Sequence, residues 1–377
     1  MRIGIDCRMF SSRFTGIGRY TYELVDQFIK INESKSLNHE FVLFFNDPEY
    51  DAYVPPNQSV KKVLVNAKHY SFAEQTRFLK ALNSAACDIV HFPHFNVPLL
   101  YRRPYTVTIH DLTLSLFPGQ KMTKWYHRRA YRTIIKNAVT RAKKVITVSN
   151  STKQDIISHL HIPEEKIKVI HNGISAAFRP VKDQAILQKT LSKFSITQPF
   201  LLYTGVWRSH KNLTGLLKAF SILLTTHKLN LRLVITGKPD PYYPEVMRTA
   251  KDLGLMSSVI FPGLVNEEDL VNLYNAANIY VFPSFYEGFG LPPLEAMKCG
   301  TPVAASATSS IPEICGKENA VFFDPKSPED IAEKIFELFG NADLRAKLIQ
   351  KGLSHAASFT WESSGRETFD TILSSLN

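Results

Sequence analysis

The sequence places two glutamates, Glu287 and Glu295, on either side of a glycine-rich turn. An apolar run typical of a buried strand ends at Phe282, and Gly288 and Gly290 follow Glu287 just before a predicted helix. Glycines let a backbone approach a ligand closely, and the first amides of a helix bind phosphate oxygens. We expect Glu287 to extend from the loop and Glu295 from the first helical turn, so that the carboxylates meet different parts of one ligand. The structural alternative is a tight turn with Glu295 in solvent.

A pair of cations, Arg208 and Lys211, follows the apolar run 200–204. Cations in this position can neutralise a diphosphate group, which is the task of a divalent metal ion in other enzymes. As surface cations at a helix start they would oppose the helix dipole, which disfavours a purely structural interpretation. The sequence has no Asp-x-Asp string and no His or carboxylate cluster spaced like a metal site. We therefore expect neither a metal ion nor a cofactor.

The string EGFGLPPLEAM, which contains both glutamates, is followed by CGTPV at 299–303. Together they resemble family 4 of the retaining GT-B glycosyltransferases, which includes bacterial mannosyltransferases. The strings TGIGRYTYEL, TIHDL, VITVSNST, IHNGI, LLYTGVWRSHKNL and FPGLV occur in the family's order, so the resemblance covers nearly the whole chain. It implies two Rossmann-like, doubly wound parallel-sheet domains that face a central cleft, and transfer of a hexose from a nucleotide sugar.

The resemblance also implies roles for individual residues. Glu287 would bind hydroxyls of the donor sugar, Glu295 the ribose, and Lys211 with an arginine the diphosphate. His110 would lie beside the donor sugar; without the resemblance, a lone histidine is more often structural. We therefore predict that Glu287, His110, Lys211 and Arg208 are catalytic.

One departure concerns the arginine. In the commonest family pattern it directly follows the glycine, whereas here Val206 follows Gly205 and the arginine is Arg208. The role of Arg208 is therefore less well defined than that of Lys211.

Gly16 and Gly18 follow the first predicted strand and open a predicted helix, and they form an incomplete dinucleotide fingerprint because position 21 is Thr21. We expect a loop there that closes over phosphate or sugar. The other predicted donor-binding residues follow strands of the second half: Gly205, Gly237, Lys238, Leu264, Gly288, Phe289, Gly290, Leu291 and Glu295. Plain turns are the alternative for several of them. On the acceptor side we predict His91, His94 and Asn96, from the string HFPHFN.

The resemblance further implies retention of configuration, by a same-face route in which the departing phosphate oxygen takes the acceptor's proton. We favour GDP-mannose as the donor because TGIGRYTYEL and EGFGLPPLEAM are most similar to bacterial mannosyltransferases of surface-polysaccharide synthesis. A UDP-linked sugar is the alternative.

Short apolar runs alternate with helical patterns along the chain, which is typical of α/β proteins with parallel sheets. We predict strands near 2–6, 41–45, 62–65, 89–92, 105–109, 144–148, 168–170, 200–204, 232–236, 259–261, 279–282, 302–305 and 320–323. The pattern restarts near Phe200. It predicts domains at 1–180 and 195–357, a linker within 172–198, and a C-terminal helix, 358–377, that belongs to either domain and could cross back to the first.

Positive charge is concentrated in the first half of the chain. Residues 1–180 have 26 Lys and Arg against 14 Asp and Glu, and the remainder has 19 against 20. The segment 112–154 has ten basic residues, Lys121 and Lys124 among them, and no acidic one. It suits an anionic membrane surface, and hence a glycan or lipid-diphosphate-linked glycan acceptor at the inner face of the cytoplasmic membrane. No nucleic-acid motif accompanies it, and a solvated helix face is the alternative.

Three further expectations concern location, cysteines and rival functions. The first residues read as a buried strand without a leader, so we expect a cytoplasmic protein. The four scattered cysteines indicate neither zinc nor disulfides. A nicotinamide oxidoreductase would need a complete GxGxxG, and a non-catalytic, membrane-attached GT-B-like protein would not require Glu287, Glu295 and Lys211 together.

Overall fold

The computed structural model describes residues 1–10, 15–117, 119 and 125–376. Its strands are β1 Arg2–Asp6, β2 Glu40–Phe45, β3 Val60–Leu64, β4 Ile89–Phe92, β5 Tyr105–Ile109, β6 Lys144–Thr147, β7 Ile167–Val169, β8 Phe200–Tyr203, β9 Arg232–Thr236, β10 Val259–Gly263, β11 Ile279–Phe282, β12 Val303–Ser306 and β13 Val321–Phe323. Each predicted strand is confirmed, with ends that differ by at most two residues.

The α-helices are α1 Thr15–Ser34, α2 Glu49–Ala52, α3 Leu79–Ala85, α4 Thr113–Leu116, α5 Trp125–Arg141, α6 Asn150–Leu160, α7 Gln184–Lys193, α8 Leu213–Thr225, α9 Glu245–Asp252, α10 Glu267–Ala276, α11 Leu291–Lys298, α12 Ile311–Cys315, α13 Pro328–Gly340, α14 Ala342–Ala357 and α15 Trp361–Ser374. A π-helical turn, Glu74–Phe78, leads into α3, and 3₁₀ turns occupy Glu164–Lys166, Ser209–Lys211 and Leu255–Ser257.

The strands form two parallel sheets. The first has the order β3-β2-β1-β4-β5-β6-β7, and the second has the order β10-β9-β8-β11-β12-β13. In the first sheet the chain reverses its direction of travel between β1 and β4, and in the second between β8 and β11. Ligands of open α/β sheets bind at such switch points, beyond the carboxyl ends of the strands. The predicted pair of doubly wound parallel sheets is confirmed.

Local sequence explains these elements. All four residues of β8, Phe200–Tyr203, are buried, as a parallel strand covered by helices on both faces requires. Polar residues begin several helices: the side chains of Ser149, Asn266 and Thr360 each accept a hydrogen bond from an amide in the first turn. Such caps bind amides that would otherwise lack a partner.

The described chain divides into two compact units. The first contains 1–10, 15–115, 125–173 and 360–376, and the second contains 116–117, 119 and 174–359. The C-terminal helix α15 packs on α1 of the first unit, where Phe369 lies 5.2 Å from Phe28 between ring centroids.

The segment predicted as a linker belongs largely to the second unit. The amide of Ile174 donates to the carbonyl of Phe359 at 3.1 Å. Helix α7 packs on α10, where Asn272 Nδ2 donates to Thr190 Oγ1 at 3.0 Å. The boundary between the two units therefore lies between residues 173 and 174, earlier in the chain than the predicted end of the first domain at residue 180. The reason is that the expected linker has its own partners in the second unit.

Candidate functional site

The switch point of the second sheet brings two of the predicted catalytic residues together. Lys211 ends the loop after β8, and Glu287 lies in the loop after β11. Lys211 Nζ donates to both carboxylate oxygens of Glu287, at 2.6 Å to Oε1 and 2.8 Å to Oε2. Their side chains are 15% and 12% exposed. The amide of Phe285 donates to the carbonyl of His210 at 2.8 Å and ties the two loops together.

Two serines that sequence reasoning missed hold the glycine-rich turn. Ser309 Oγ donates to the Glu287 carbonyl at 2.6 Å and accepts from the Glu287 amide at 3.2 Å. Ser310 Oγ contacts the carbonyls of Glu287 at 2.9 Å and Phe289 at 2.8 Å. The available signal was a Ser-Ser pair after β12, directly before a helix. The turn that carries Glu287 is therefore fixed by the next loop of the sheet.

Helix α11 differs from expectation in two details. Pro292 and Pro293 have no N–H group, so only Leu291 and Leu294 supply amides among its first four residues. A phosphate can therefore use fewer helix amides than we predicted. Glu295 is the fifth residue of α11 and lies in its second turn rather than its first.

Three glycines after neighbouring strands meet at close range. A Cβ atom at Gly237 would lie 2.0 Å from the Gly205 carbonyl oxygen, and Gly237 has a φ of +101°. The Gly237 amide donates to the Gly263 carbonyl at 2.8 Å. Trp207 Nε1 donates to the Thr236 carbonyl at 3.2 Å and covers this crossing. Only glycine fits at Gly237, for steric reasons that do not need a ligand.

The remaining donor-side candidates of the second unit differ in exposure. Lys238 and Arg208 are exposed, and Leu264 has an exposed fraction of 76%. Arg208 forms no ion pair with the residues that the structure describes. Gly288, Phe289 and Gly290 are buried in the turn, and Leu291 is half-buried. Their contacts with a donor stay predictions.

His110 lies at the carboxyl edge of the first sheet. Its Nε2 is 2.8 Å from the Pro93 carbonyl, and its ring meets Tyr20 edge-on at 4.7 Å between centroids. A carbonyl oxygen only accepts, so Nε2 carries the proton. Burial lowers the pKa of His110, which favours the neutral ring. The Nδ1 lone pair can then accept a hydrogen bond from a hydroxyl group.

The predicted acceptor residues differ in accessibility. His91 is fully buried, and its ring nitrogens lie 2.9 Å from Thr106 Oγ1 and 3.4 Å from Thr108 Oγ1. The sheet encloses the His91 ring, and its acceptor role stays a prediction. His94 is half-buried, with its Nδ1 2.5 Å from Oδ1 of the buried Asn96. The roles of His94 and Asn96 stay predictions.

A buried charged cluster at the first switch point was missed. Arg8, which follows β1, donates to Asp6 through Nε at 2.9 Å and through Nη2 at 2.8 Å. Its Nη1 donates to Glu74 Oε2 at 3.0 Å. The guanidinium also lies 3.7 Å from the ring centroid of Phe78. The sequence signal was weak: an Asp-x-Arg string directly after a buried strand.

The amino-terminal glycines lie where the sequence predicted a helix to begin. Gly16 and Gly18 both lie at the start of α1, Thr15–Ser34. Gly16 is exposed and Gly18 is buried. The predicted helix start is confirmed at these two positions, and their donor-binding role stays a prediction.

The residues of the basic segment 112–154 lie in different environments. Helix α5 has no acidic residue, and at about 100° per residue its exposed side chains Trp125, Arg128, Arg129, Arg132 and Lys136 share one face. Farther along the chain, Lys153 forms an ion pair with Glu164 at 2.8 Å, and Lys144 Nζ donates to a backbone carbonyl. Lys121 and Lys124 lie outside the described residues.

The remaining sequence expectations concern the cysteines, metal binding and membrane-spanning helices. All four cysteines are buried free thiols. Within the described ranges there is no group of three or more His, Cys, Asp or Glu residues that could hold a metal ion. No helix in those ranges is both long enough and apolar enough to span a bilayer.

Both units of the chain are similar in sequence to known proteins. The family model described as Glycosyltransferase Family 4 matches residues 14–178, and that described as Glycosyl transferases group 1 matches residues 188–355. O-antigen chain mannosyltransferase B of Escherichia coli is 30% identical over 380 residues, which cover 94% of this chain and 95% of that protein.

Two solved structures have the same fold. Sucrose-phosphate synthase from Thermosynechococcus elongatus has a TM-score of 0.78 at 19% identity and covers 99% of this chain and 98% of its own. Anabaena HepE, solved with UDP and glucose, has a TM-score of 0.76 at 18% identity and covers 99% and 100%. The structural matches show the GT-B fold, and the family models with the Escherichia coli relative define the class, a glycosyltransferase. The chain belongs to family 4 of these enzymes, as the sequence resemblance implied.

Proposed function

We propose that the protein is a retaining, metal-independent mannosyltransferase that uses GDP-mannose in the synthesis of an O-antigen-like surface polysaccharide. The observation that carries the chemistry is the Lys211–Glu287 pair at the switch point of the second sheet. The mannosyl donor is supported by the 30% identity to an O-antigen chain mannosyltransferase along nearly the whole chain.

In this proposal, breakdown of the donor leaves negative charge on the nucleoside diphosphate and positive charge on the sugar ring. Lys211 Nζ stabilises the phosphate charge, assisted by Arg208. The Glu287 carboxylate, held 2.6 Å from Lys211 Nζ, accepts hydrogen bonds from donor-sugar hydroxyls. The bond from the anomeric carbon to the phosphate oxygen breaks, and a bond to the acceptor oxygen forms on the same face. The acceptor's proton passes to the departing phosphate oxygen.

The remaining site residues have supporting roles. Glu295, half-buried on α11, accepts hydrogen bonds from the ribose. Leu264, which is largely exposed beyond β10, packs on the nucleobase. His110 contacts a donor-sugar hydroxyl through Nδ1, and His94 and Asn96 contribute to the acceptor side. No metal ion or cofactor is required, because Lys211 and Arg208 supply the charge opposite the diphosphate.

The experiment is a transfer assay with GDP-mannose, GDP-fucose, UDP-glucose and UDP-galactose, with a lipid-diphosphate-linked glycan as acceptor and with EDTA in a parallel set. We expect transfer from GDP-mannose only, no effect of EDTA, and an axial linkage by NMR. Glu287→Gln should abolish transfer, whereas Glu268→Gln, the same change at an exposed position of α10, should not. A requirement for manganese would contradict the mechanism.

The donor alternative has its own support, since HepE was solved with UDP and glucose. Transfer from a UDP-sugar alone would replace GDP-mannose and leave the site assignment intact. Binding of nucleotide sugars without any transfer would instead favour a non-catalytic GT-B protein.

The acceptor is proposed to be a glycan or a lipid-diphosphate-linked glycan, met at the cytoplasmic face of an anionic membrane. The support is the exposed face of α5, where Trp125 is 72% exposed beside four cations. Basic residues attract anionic lipids by about 1 kcal/mol each, and tryptophan favours the membrane interface.

Flotation with vesicles of 30% phosphatidylglycerol tests the membrane contact. Combined Arg129→Gln, Arg132→Gln and Lys136→Gln should release the protein from the vesicles. The matched control changes three exposed lysines of the second unit, Lys218, Lys251 and Lys326, to Gln. Equal release by both triple variants would show that net charge, and not this face, is responsible.

A further inference from the structure

A chain of buried hydroxyl groups ends on Glu295. The Tyr274 hydroxyl, on α10, donates to Glu295 Oε2 at 3.1 Å. It also lies 2.8 Å from Thr204 Oγ1, at the end of β8. Thr204 Oγ1 is in turn 3.1 Å from the hydroxyl of Tyr280 in β11. Tyr274 and Tyr280 are fully buried, whereas Glu295 is half-buried.

The hydrogen bonds between these hydroxyl groups are all donated in one direction, toward Glu295. A carboxylate oxygen only accepts, so the single Tyr274 proton is used toward Glu295. The Tyr274 oxygen must then accept from Thr204, and Thr204 must accept from Tyr280. Burial raises the pKa of both tyrosines well above the ordinary value, so both stay protonated. Hydrogen bonds aligned in this way polarise and strengthen one another.

The ring of Tyr274 is held independently of its hydroxyl group. Its centroid lies 5.3 Å from that of Tyr280 and 5.9 Å from that of Phe178. Thr301 Oγ1 also donates to the Tyr274 carbonyl at 2.5 Å. Removal of the hydroxyl oxygen should therefore leave the ring in place.

We infer that Tyr274 is a positioning residue for nucleotide binding, which rests on the proposed function of Glu295 as the ribose ligand. A glutamate side chain that is half-exposed loses rotamer freedom when it binds a ligand. The hydrogen bond from Tyr274 to Oε2 fixes the carboxylate beforehand and directs Oε1 to the ribose hydroxyls. Thr204 and Tyr280 orient the Tyr274 hydroxyl in turn.

The test measures dissociation constants of GDP and 2′,3′-dideoxy-GDP by calorimetry for wild type, Tyr274→Phe, Tyr280→Phe and Glu295→Gln. Tyr274→Phe should weaken GDP about tenfold, the value of one hydrogen bond to a charged group, and should leave dideoxy-GDP nearly unchanged. Tyr280→Phe is the matched control: it removes a buried hydroxyl from the same Thr204 but makes no contact with Glu295. It should weaken GDP less than about threefold.

The outcomes separate this inference from the proposed function. Equal weakening of both nucleotides by Glu295→Gln would overturn the ribose assignment itself. A ribose-dependent loss for Glu295→Gln, with none for Tyr274→Phe, would overturn only the role of Tyr274. If Tyr274→Phe fails to fold, as judged by near-UV circular dichroism, Thr204→Val removes the partner of Tyr274 without touching Glu295. A ribose-dependent loss in that variant supports the inference, and its absence contradicts it.

Discussion

The two sheets place an ion pair at the same topological position and bury it to different extents. At the first switch point Arg8 binds Asp6 and Glu74, and the three side chains are 0%, 6% and 1% exposed. At the second, Lys211 binds Glu287, and the side chains are 15% and 12% exposed. The same strand arrangement therefore supports a sealed cluster in one unit and an accessible pair in the other.

The difference teaches what each pair can do. The Arg8 guanidinium is planar and uses its fork of donors on two carboxylates and two backbone carbonyls, which leaves no capacity for a ligand. The Lys211 ammonium is a compact charge on a flexible chain with three rotatable donors, which suits contact with a phosphate. We interpret the first pair as structural and the second as functional.

The largest expected effect is on stability, from Arg8→Ala. Loss of the guanidinium leaves Asp6 and Glu74 buried without a cation, and breaking a buried pair costs about 3–5 kcal/mol. Native-state hydrogen exchange of peptides from each unit should show this loss in the first unit and not in the second. A change below about 1 kcal/mol would mean that the cluster is not what stabilises this edge of the sheet.

The second effect is on catalysis, from Lys211→Ala. Removal of one group that stabilises developing charge typically lowers kcat by about 10²–10³, and we expect a loss of that size in the transfer assay. Hydrogen exchange in the second unit should change less than it does in the first unit for Arg8→Ala. Lys218→Ala, an exposed lysine on α8, is the control and should retain full activity. Near-normal transfer by Lys211→Ala would remove the contrast between the two pairs.

These two pairs also show what the sequence could and could not predict. The apolar runs marked the strands, and the loops after them were expected to carry chemistry because parallel strands end at one edge. Lys211 and Glu287 were found in this way. The partner of Arg8 was not, because Glu74 lies 66 positions along the chain and only the tertiary fold brings it close.

The missed supporting residues have the same physical origin. Ser309, Ser310 and Tyr274 contact the site through hydroxyl groups from loops or helices that local patterns do not connect to it.

The third expected effect is a loss of stability in the second unit, from Gly237→Ala. Comparison with a second glycine distinguishes the cost of backbone strain from the cost of steric overlap. Gly237→Ala puts a Cβ 2.0 Å from the Gly205 carbonyl oxygen in a backbone with a φ of +101°. We expect about 2–3 kcal/mol of destabilisation, confined to the second unit by hydrogen exchange, with loss of nucleotide binding. Gly254→Ala is the control, since its φ is +67° and no atom lies within 4 Å of the added Cβ. Its cost should be about 1 kcal/mol, and equal costs would show that the overlap is relieved.

The smallest expected effect is a pH dependence of the stability of the first unit, caused by the buried His91. Burial and, to a smaller extent, His110 lower the pKa of His91 to about 3, although the nearby Asp6 carboxylate acts in the opposite direction. Because its folded pKa lies below the unfolded value of about 6.5, stability is fully present above pH 6.5 and is lost as the pH falls toward 3. The slope is about 1.4 kcal/mol per pH unit once the unfolded histidine is protonated.

We expect His91→Gln to lower the stability of the first unit at pH 7. The gap, meaning the difference in free energy of unfolding between wild type and variant, should become smaller as the pH falls through 6, 5 and 4. Hydrogen exchange of first-unit peptides at each pH measures that gap. The other titrating groups are the same in both proteins, so the difference isolates His91. A gap that stays constant from pH 7 to 4 would mean that His91 takes up a proton inside the folded sheet, and that the carboxyl edge near β4 admits water.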